Sequence, residues 1–266
     1  MARPHSTRYT VAALLLLGIS VVILVSLGQW QLRRADERRA ILAAIEAGRK
    51  QAPLPLSAAT PAHEMAPWRV AEASGQWLPQ FSVLLDNRNL DGKPGYWLAT
   101  PLLLDGGSRQ ALLVLRGWIP RVMQGQPEVP ATPPGEQAVR GELSARVPRL
   151  FELWSLGGDA KSGLPAALPA PGGVVPQVQN LELDAYARAT GLKLLPTVLS
   201  QFGDGRHDDG LVHDWPQPSV DFQKNTFYAV QWFSFALFAA IAWLVVMAGA
   251  LKRMRQRQRE QAGPGG

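Results

Sequence analysis

Two uncharged apolar runs, one near each end of a 266-residue chain, constrain this sequence more than anything else in it. Residues 10–28 read TVAALLLLGISVVILVSLG, and residues 227–251 read FYAVQWFSFALFAAIAWLVVMAGAL, where Gln231 is the one strongly polar side chain. About 20 such residues in a helix rising 1.5 Å per residue cross a hydrocarbon layer of roughly 30 Å. A cleaved signal peptide competes for the first run, but its apolar core is shorter, about 7–15 residues, and ends in small residues at a cleavage site. Here the run continues into Gly28-Gln29-Trp30-Gln31-Leu32-Arg33-Arg34, which favours a retained membrane helix.

The net charge of +6 and pI near 10 belong to the tips of the chain. Lys252, Arg253, Arg255, Arg257 and Arg259 against Glu260 give the last segment +4, Arg3 and Arg8 give the first +2, and the body between is neutral. A neutral body with basic tips argues against nucleic-acid binding and for membrane topology, because lysine and arginine are retained on the cytoplasmic side. Arg33, Arg34, Arg38 and Arg39 pull the other way, but Asp36 and Glu37 interrupt them and long segments translocate with little regard to charge. The expected organisation is a cytoplasmic tail over 1–9, a first transmembrane helix over 10–28, a periplasmic domain over 29–226, a second transmembrane helix over 227–251 and a basic cytoplasmic tail over 252–266. The absence of an arginine- and serine-rich presequence points to a bacterial inner membrane rather than a mitochondrial one.

Helix formers without proline from Trp30 to Lys50 predict that the first helix continues out of the membrane to about Gly48. Pro53, Pro55, Pro61 and Pro67 then mark a linker. Short apolar runs separated by turn residues follow up to Pro120 and predict strands, with a hairpin at Asp105-Gly106-Gly107. Further strands are expected over 137–145 and 194–202, and a helix over 183–190 stopped by Gly191. The glycine-, proline- and alanine-rich stretch 157–176 reads as a mobile insertion. The fold class is therefore an α+β membrane protein, two transmembrane helices flanking one outer domain with an antiparallel, partly barrel-like sheet.

No cysteine is present, which excludes disulfides, thiol catalysis and thiolate metal sites. No phosphate loop, nucleophile elbow or paired-carboxylate arrangement emerges, so the sequence reads as a non-enzyme without a resident metal. The one histidine–aspartate cluster, His207-Asp208-Asp209 with His213-Asp214, has the residue types for a divalent ion or a metal-dependent hydrolase, and a solvated loop is the better reading.

Three stretches in order, Gly28-Gln29-Trp30-Gln31-Leu32-Arg33-Arg34, Leu113 to Pro120 (LVLRGWIP) and Tyr228-Ala229-Val230-Gln231-Trp232-Phe233, resemble the surfeit locus protein one family of cytochrome c oxidase assembly factors. Gly75, Arg88, the run from Gly95-Tyr96 to Thr100-Pro101, and Asp105-Gly106 extend the resemblance over nearly the whole chain. It implies a non-enzymatic factor that assists delivery or insertion of haem a into the large subunit of a haem-copper oxidase, working near haem A synthase. The family motif residues are Gly28, Gln31, Gly117, Trp118 and Ala229. Two positions depart from the pattern: Asn225 stands where members often carry a histidine suited to ligating haem iron, and Leu115 where they often have asparagine. An amide is a poor iron ligand beside an imidazole.

Helical spacing puts Tyr228, Gln231, Trp232 and Phe235 on one stripe, with Gln29 and Trp30 at the same depth on the first span. One reading lays the macrocycle of haem a between these faces, with Tyr228 or Gln231 bonding a polar substituent, Trp30 and Trp232 as apolar walls, and Arg34 or Arg116 pairing with propionates. The other takes the aromatics as interfacial anchors and the glutamine as a tie between helices. Arg116-Gly117-Trp118 favours a structural role, a core tryptophan beside a glycine that marks a bulge or close backbone approach. The alternative function is a docking protein for the oxidase that binds no haem.

Overall fold

The computed structural model describes residues 7–125, 127–150, 163–203 and 209–261. They form two bodies, one of residues up to Leu42 together with those from Pro218 onward, the other of Ala43–Gln217.

The first body is a pair of antiparallel helices, residues 43–50 at the end of the first belonging to the second body. Helix α1 runs from Thr7 to Lys50, with no proline between Pro4 and Pro53 to interrupt it and Arg49 and Lys50 in its last turn, where cations suit the helix dipole. A second long helix covers Phe222–Gln261. Asp221 caps its start by accepting from the Lys224 N–H at 3.3 Å. Both are long and apolar enough to cross a membrane, with windows of mean hydropathy 2.8 and 2.2.

The second body is built on a closed barrel. Its strands are β2 (Val70–Trp77), β6 (Glu136–Ser144), β8 (Lys193–Gln201), β5 (Gln110–Pro120) and β4 (Gly95–Asp105), paired in that order and closed by Gln76 and Trp77 of β2 against Leu103 and Leu102 of β4. Three short strands hang from it: β1 (Leu54–Leu56) beside β2, β3 (Val83–Leu85) beside β4, and β7 (Gln177–Val178) beside β3. The expected α+β class with a barrel-like sheet stands, with closure more complete than a partial barrel. β1–β2, β3–β7 and β5–β8 pair in parallel, so the sheet is mixed. Gly75 lies where a Cβ would fall 2.2 Å from the Leu103 carbonyl oxygen, so closure at the β2–β4 seam needs glycine there.

Burial explains the sequence pattern of each strand. β2 is half buried and alternates; β5 is buried almost throughout and reads as a near-continuous apolar run. One face of β5 gives Leu112 and Val114 to a cluster that draws on all five barrel strands, including Ala71, Leu102, Val139 and Leu199. The opposite face gives Leu113 and Leu115 to a second cluster with Tyr186 and Ala189 of α2 (Leu183–Thr190), the helix that the sequence predicts. Gly191 ends α2 in the left-handed conformation at φ +66°. The stretch expected as a mobile insertion lies outside the described residues over 157–162. From Gly163 onward it holds Leu168 buried in the second cluster, with its N–H donating to the Ala189 carbonyl at 2.8 Å.

Candidate functional site

The residues singled out in the sequence fall into both bodies. In the helix pair, which we number α1 and α3 (Phe222–Gln261), two contacts bring the first and last motif stretches together. Gly28 faces Phe233 so closely that a Cβ at Gly28 would lie 2.6 Å from the phenyl Cε1. Asn225 donates its amide N–H to Gln31 Oε1 at 2.7 Å, while its own Oδ1 is buried without a partner among the described residues. Asn225, Ala229, Phe233 and Ala236 follow one another at helical spacing, and Ala229 and Ala236 are buried. On either side of this seam Arg38 donates to the Asp221 carbonyl at 2.7 Å, Arg39 stands 4.8 Å from the Phe222 ring, and Trp243 donates to the Leu14 carbonyl at 2.9 Å.

The aromatic stripe is therefore not turned towards α1. Tyr228 and Gln231 are exposed and, with Lys224 and Phe227, line a shallow groove of about 460 Å³ on the surface of α3. Trp232 and Phe235 pack edge to face at 6.1 Å. Trp30 is half exposed, and Arg34 pairs with Glu37 at 2.8 Å on the exposed side of α1. The space proposed for a flat macrocycle between the helices is occupied at this level by Phe233 against Gly28 and by the Gln31–Asn225 bond.

Arg116, Gly117 and Trp118 belong to the barrel body and are buried there. Leu98 pairs with Gly117 while Ala99 pairs with Leu115, so Arg116 is the extra residue of a β-bulge that re-aims its side chain. Its guanidinium lies 5.3 Å from the Trp77 ring and donates to the Pro130 carbonyl at 3.3 Å. Burial lowers its pKa, opposed by Asp209. A Cβ on Gly117 would come within 2.6 Å of Leu211 Cβ, because the segment carrying Leu211 and Val212 bridges to Trp118. Trp118 itself donates to the Arg88 carbonyl at 2.7 Å. Arg88, 3% exposed, stands 4.6 Å from the Trp97 ring, and burial pushes its pKa down to about 10. These motif residues are packed and bonded inside the barrel body.

His207 and Asp208 lie outside the described residues. Asp209 and His213 approach only to 3.6 Å, and no group of three candidate metal ligands occurs among the described residues.

What the sequence does not signal is a cavity of about 420 Å³ in the barrel body whose walls include Trp68, Trp97 and Trp215. These tryptophans are far apart in the chain, and only barrel closure brings them to one place.

The chain matches the family model described as SURF1 family over residues 18–237. It is 26% identical over 259 residues to an uncharacterized SURF1-like protein of Mycobacterium tuberculosis, covering 94% of this chain and 86% of the relative. A SURF1-like protein of Rickettsia felis is 33% identical over 102 residues, 38% of this chain and 43% of that one. The cytochrome oxidase assembly protein SHY1 of Saccharomyces cerevisiae is 29% identical over 100 residues, 37% of this chain and 25% of its own length.

Proposed function

Because this chain belongs to the SURF1 family, we propose that it is a non-enzymatic membrane factor for assembly of haem-copper cytochrome c oxidase, assisting delivery or insertion of haem a into the large oxidase subunit. The relative named as a cytochrome oxidase assembly protein supports the oxidase role. The observation that carries the oxidase role is the family match over residues 18–237; the meeting of Gly28 with Phe233 and of Gln31 with Asn225 joins motif stretches almost 200 residues apart into one level of the helix pair. In this reading both termini are cytoplasmic, the barrel lies in the periplasm of a bacterium, and the partners are the large oxidase subunit and haem A synthase.

Haem a is cargo here. The residues at the helix seam do not fit it as an iron-ligated group between α1 and α3: Asn225 is committed to Gln31, and Phe233 fills the gap that Gly28 leaves. Contact with the cargo falls instead to the outward face of α3, where Tyr228 and Gln231 offer hydrogen bonds and the Lys224 ammonium suits a carboxylate. A second reading, a docking factor that touches no haem, is favoured by the same two seam contacts, since they account for Gly28 and Gln31 as packing residues.

The deciding experiment is an optical and pyridine haemochrome spectrum of the detergent-purified protein, co-expressed with enzymes that make haem A. A stoichiometric haem a signal that falls in Gln231→Leu or Trp232→Leu supports the cargo reading. A colourless protein that still captures the large subunit supports docking. Normal haem a content in the oxidase of a deletion strain refutes the role in haem a delivery.

A further inference from the structure

We propose that the tryptophan-lined cavity of the barrel body is a binding site for a neutral, flat ring bearing a carbonyl or hydroxyl oxygen. The cavity lies within the barrel body, and Arg49 from the last turn of α1 contributes to its rim.

At about 420 Å³ the cavity is within the roughly 300–1,000 Å³ range of small-molecule sites and is larger than a single inserted side chain needs. Three of the chain's nine tryptophans border it, so indole surface is concentrated here far beyond a chance share. Flat rings are the natural complement of indole faces and edges.

Two of the three walls are fixed in advance. Trp97, 5% exposed, has the Arg88 guanidinium 4.6 Å from its ring and meets Trp215 edge to face at 5.3 Å. Trp215 in turn donates its indole N–H to the Gln201 carbonyl at 2.8 Å. A site whose rings are already locked loses little side-chain freedom when it binds.

The third wall carries backbone strain. Trp68 has φ +68°, a left-handed conformation that a bulky residue rarely adopts. Two bonds to β6 clamp it there: Trp68 N–H to the Leu143 carbonyl at 2.8 Å, and Leu143 N–H to the Arg69 carbonyl at 2.9 Å. Trp68 is only partly buried, and its backbone and Cβ pack against Gly48, where an added Cβ would come within 2.9 Å of them. The indole is thereby held at the cavity wall before any ligand arrives.

The rim decides the charge of the occupant. Arg49 donates from Nε to Glu142 at 2.7 Å and from Nη2 to Gln217 at 2.6 Å. Glu142 already neutralises the guanidinium, so a charged ligand would have to displace an ion pair, whereas the guanidinium's remaining N–H groups can donate to a neutral oxygen.

The test uses the full chain in nanodiscs, labelled with fluorotryptophan, and 1,4-naphthoquinone as probe. Selective shifts of the Trp68, Trp97 and Trp215 fluorine signals are expected, the other tryptophans staying still, with saturable one-to-one binding by equilibrium dialysis. Val70→Trp, which fills the cavity from β2, should weaken binding by at least about tenfold, equivalent to ~1.4 kcal/mol, with the circular dichroism unchanged. The fluorine shifts keep the test independent of whether that variant folds. The proposal is overturned if all tryptophans shift alike, as in partitioning into lipid. Equal binding of naphthalene-2-sulfonate, or a proline-rich peptide shifting the three signals where naphthoquinone does not, also overturns it.

Discussion

Replacing Gly28 by alanine should separate the two helices, and the geometry gives the size of the effect. The added methyl would sit 2.6 Å from Phe233 Cε1, 2.8 Å from Cζ and 2.9 Å from Cδ1. Carbon atoms pack at about 3.5–4.0 Å, so the seam must open by about 1 Å or the ring must leave its place. Overpacking of this kind costs ~1–3 kcal/mol, which is about 5- to 150-fold in the equilibrium between paired and separated helices. Because the chain has no cysteine, Ile19→Cys and Leu244→Cys, both on exposed faces, accept a donor–acceptor dye pair without competing sites. Titration with sodium dodecyl sulfate then reports helix separation as lost energy transfer. The Gly28→Ala midpoint should fall, and Phe233→Leu should restore most of the loss, giving a coupling of ~1–3 kcal/mol in the double-mutant cycle. If Gly28→Ala costs the same with phenylalanine or leucine at 233, the contact is not what glycine is there for, and the argument fails.

Three further outcomes follow from the same structure. Tyr186 is fully buried and donates its hydroxyl to the Phe81 carbonyl, and burial raises its pKa so that it stays a donor. Tyr186→Phe should lower stability by ~1–3 kcal/mol, read as a fall in the urea midpoint at constant slope. At the seam, Asn225→Leu should weaken helix pairing by up to ~1.7 kcal/mol in the same energy-transfer assay, and adding Gln31→Leu should recover part of it; a double variant worse than the sum would contradict the bond. Asp105 is held below the usual carboxylate range by Ser108 Oγ and by the N–H groups of Gly107 and Ser108. A depressed folded pKa means support that is complete above the unfolded value and disappears as pH falls through the folded one, so amide-exchange protection at Gly107 and Ser108 should decline there, and Asp105→Asn should remove that pH dependence.

Strands β2, β4, β5, β6 and β8 and helix α2 were legible because each carries its own burial period and its own stop, such as Gly191 after α2. β1 and β7 were not, since three residues around Pro55 and two after Pro176 are too short to show any period. Leu168 was invisible for a related reason: its partners lie in α2 and β7, and local composition says nothing of them. Helical spacing puts Tyr228 and Gln231 on one face, but spacing alone does not say which face meets the neighbour. The buried Ala229 and Ala236 mark the seam instead, as small residues do in membrane helices. The burial of Arg88 and Arg116 is explained by the bulge and the tryptophans beside them, which local sequence does not show.

The pairing of β8 has a kinetic consequence. This strand runs parallel to β5 and antiparallel to β6, and it is the last of the barrel strands along the chain. Until Gln201 has been made, one edge of β5 and one of β6 stay open, and no local hairpin supplies the missing strand. Loop closure over such separations is slow, and open edges invite wrong pairing in the meantime. A nascent chain that pauses before β8 is thus an aggregation-prone, half-closed intermediate. Truncations upstream of Lys193 should accumulate as insoluble or degraded material, whereas the helix pair awaits only the two apolar runs.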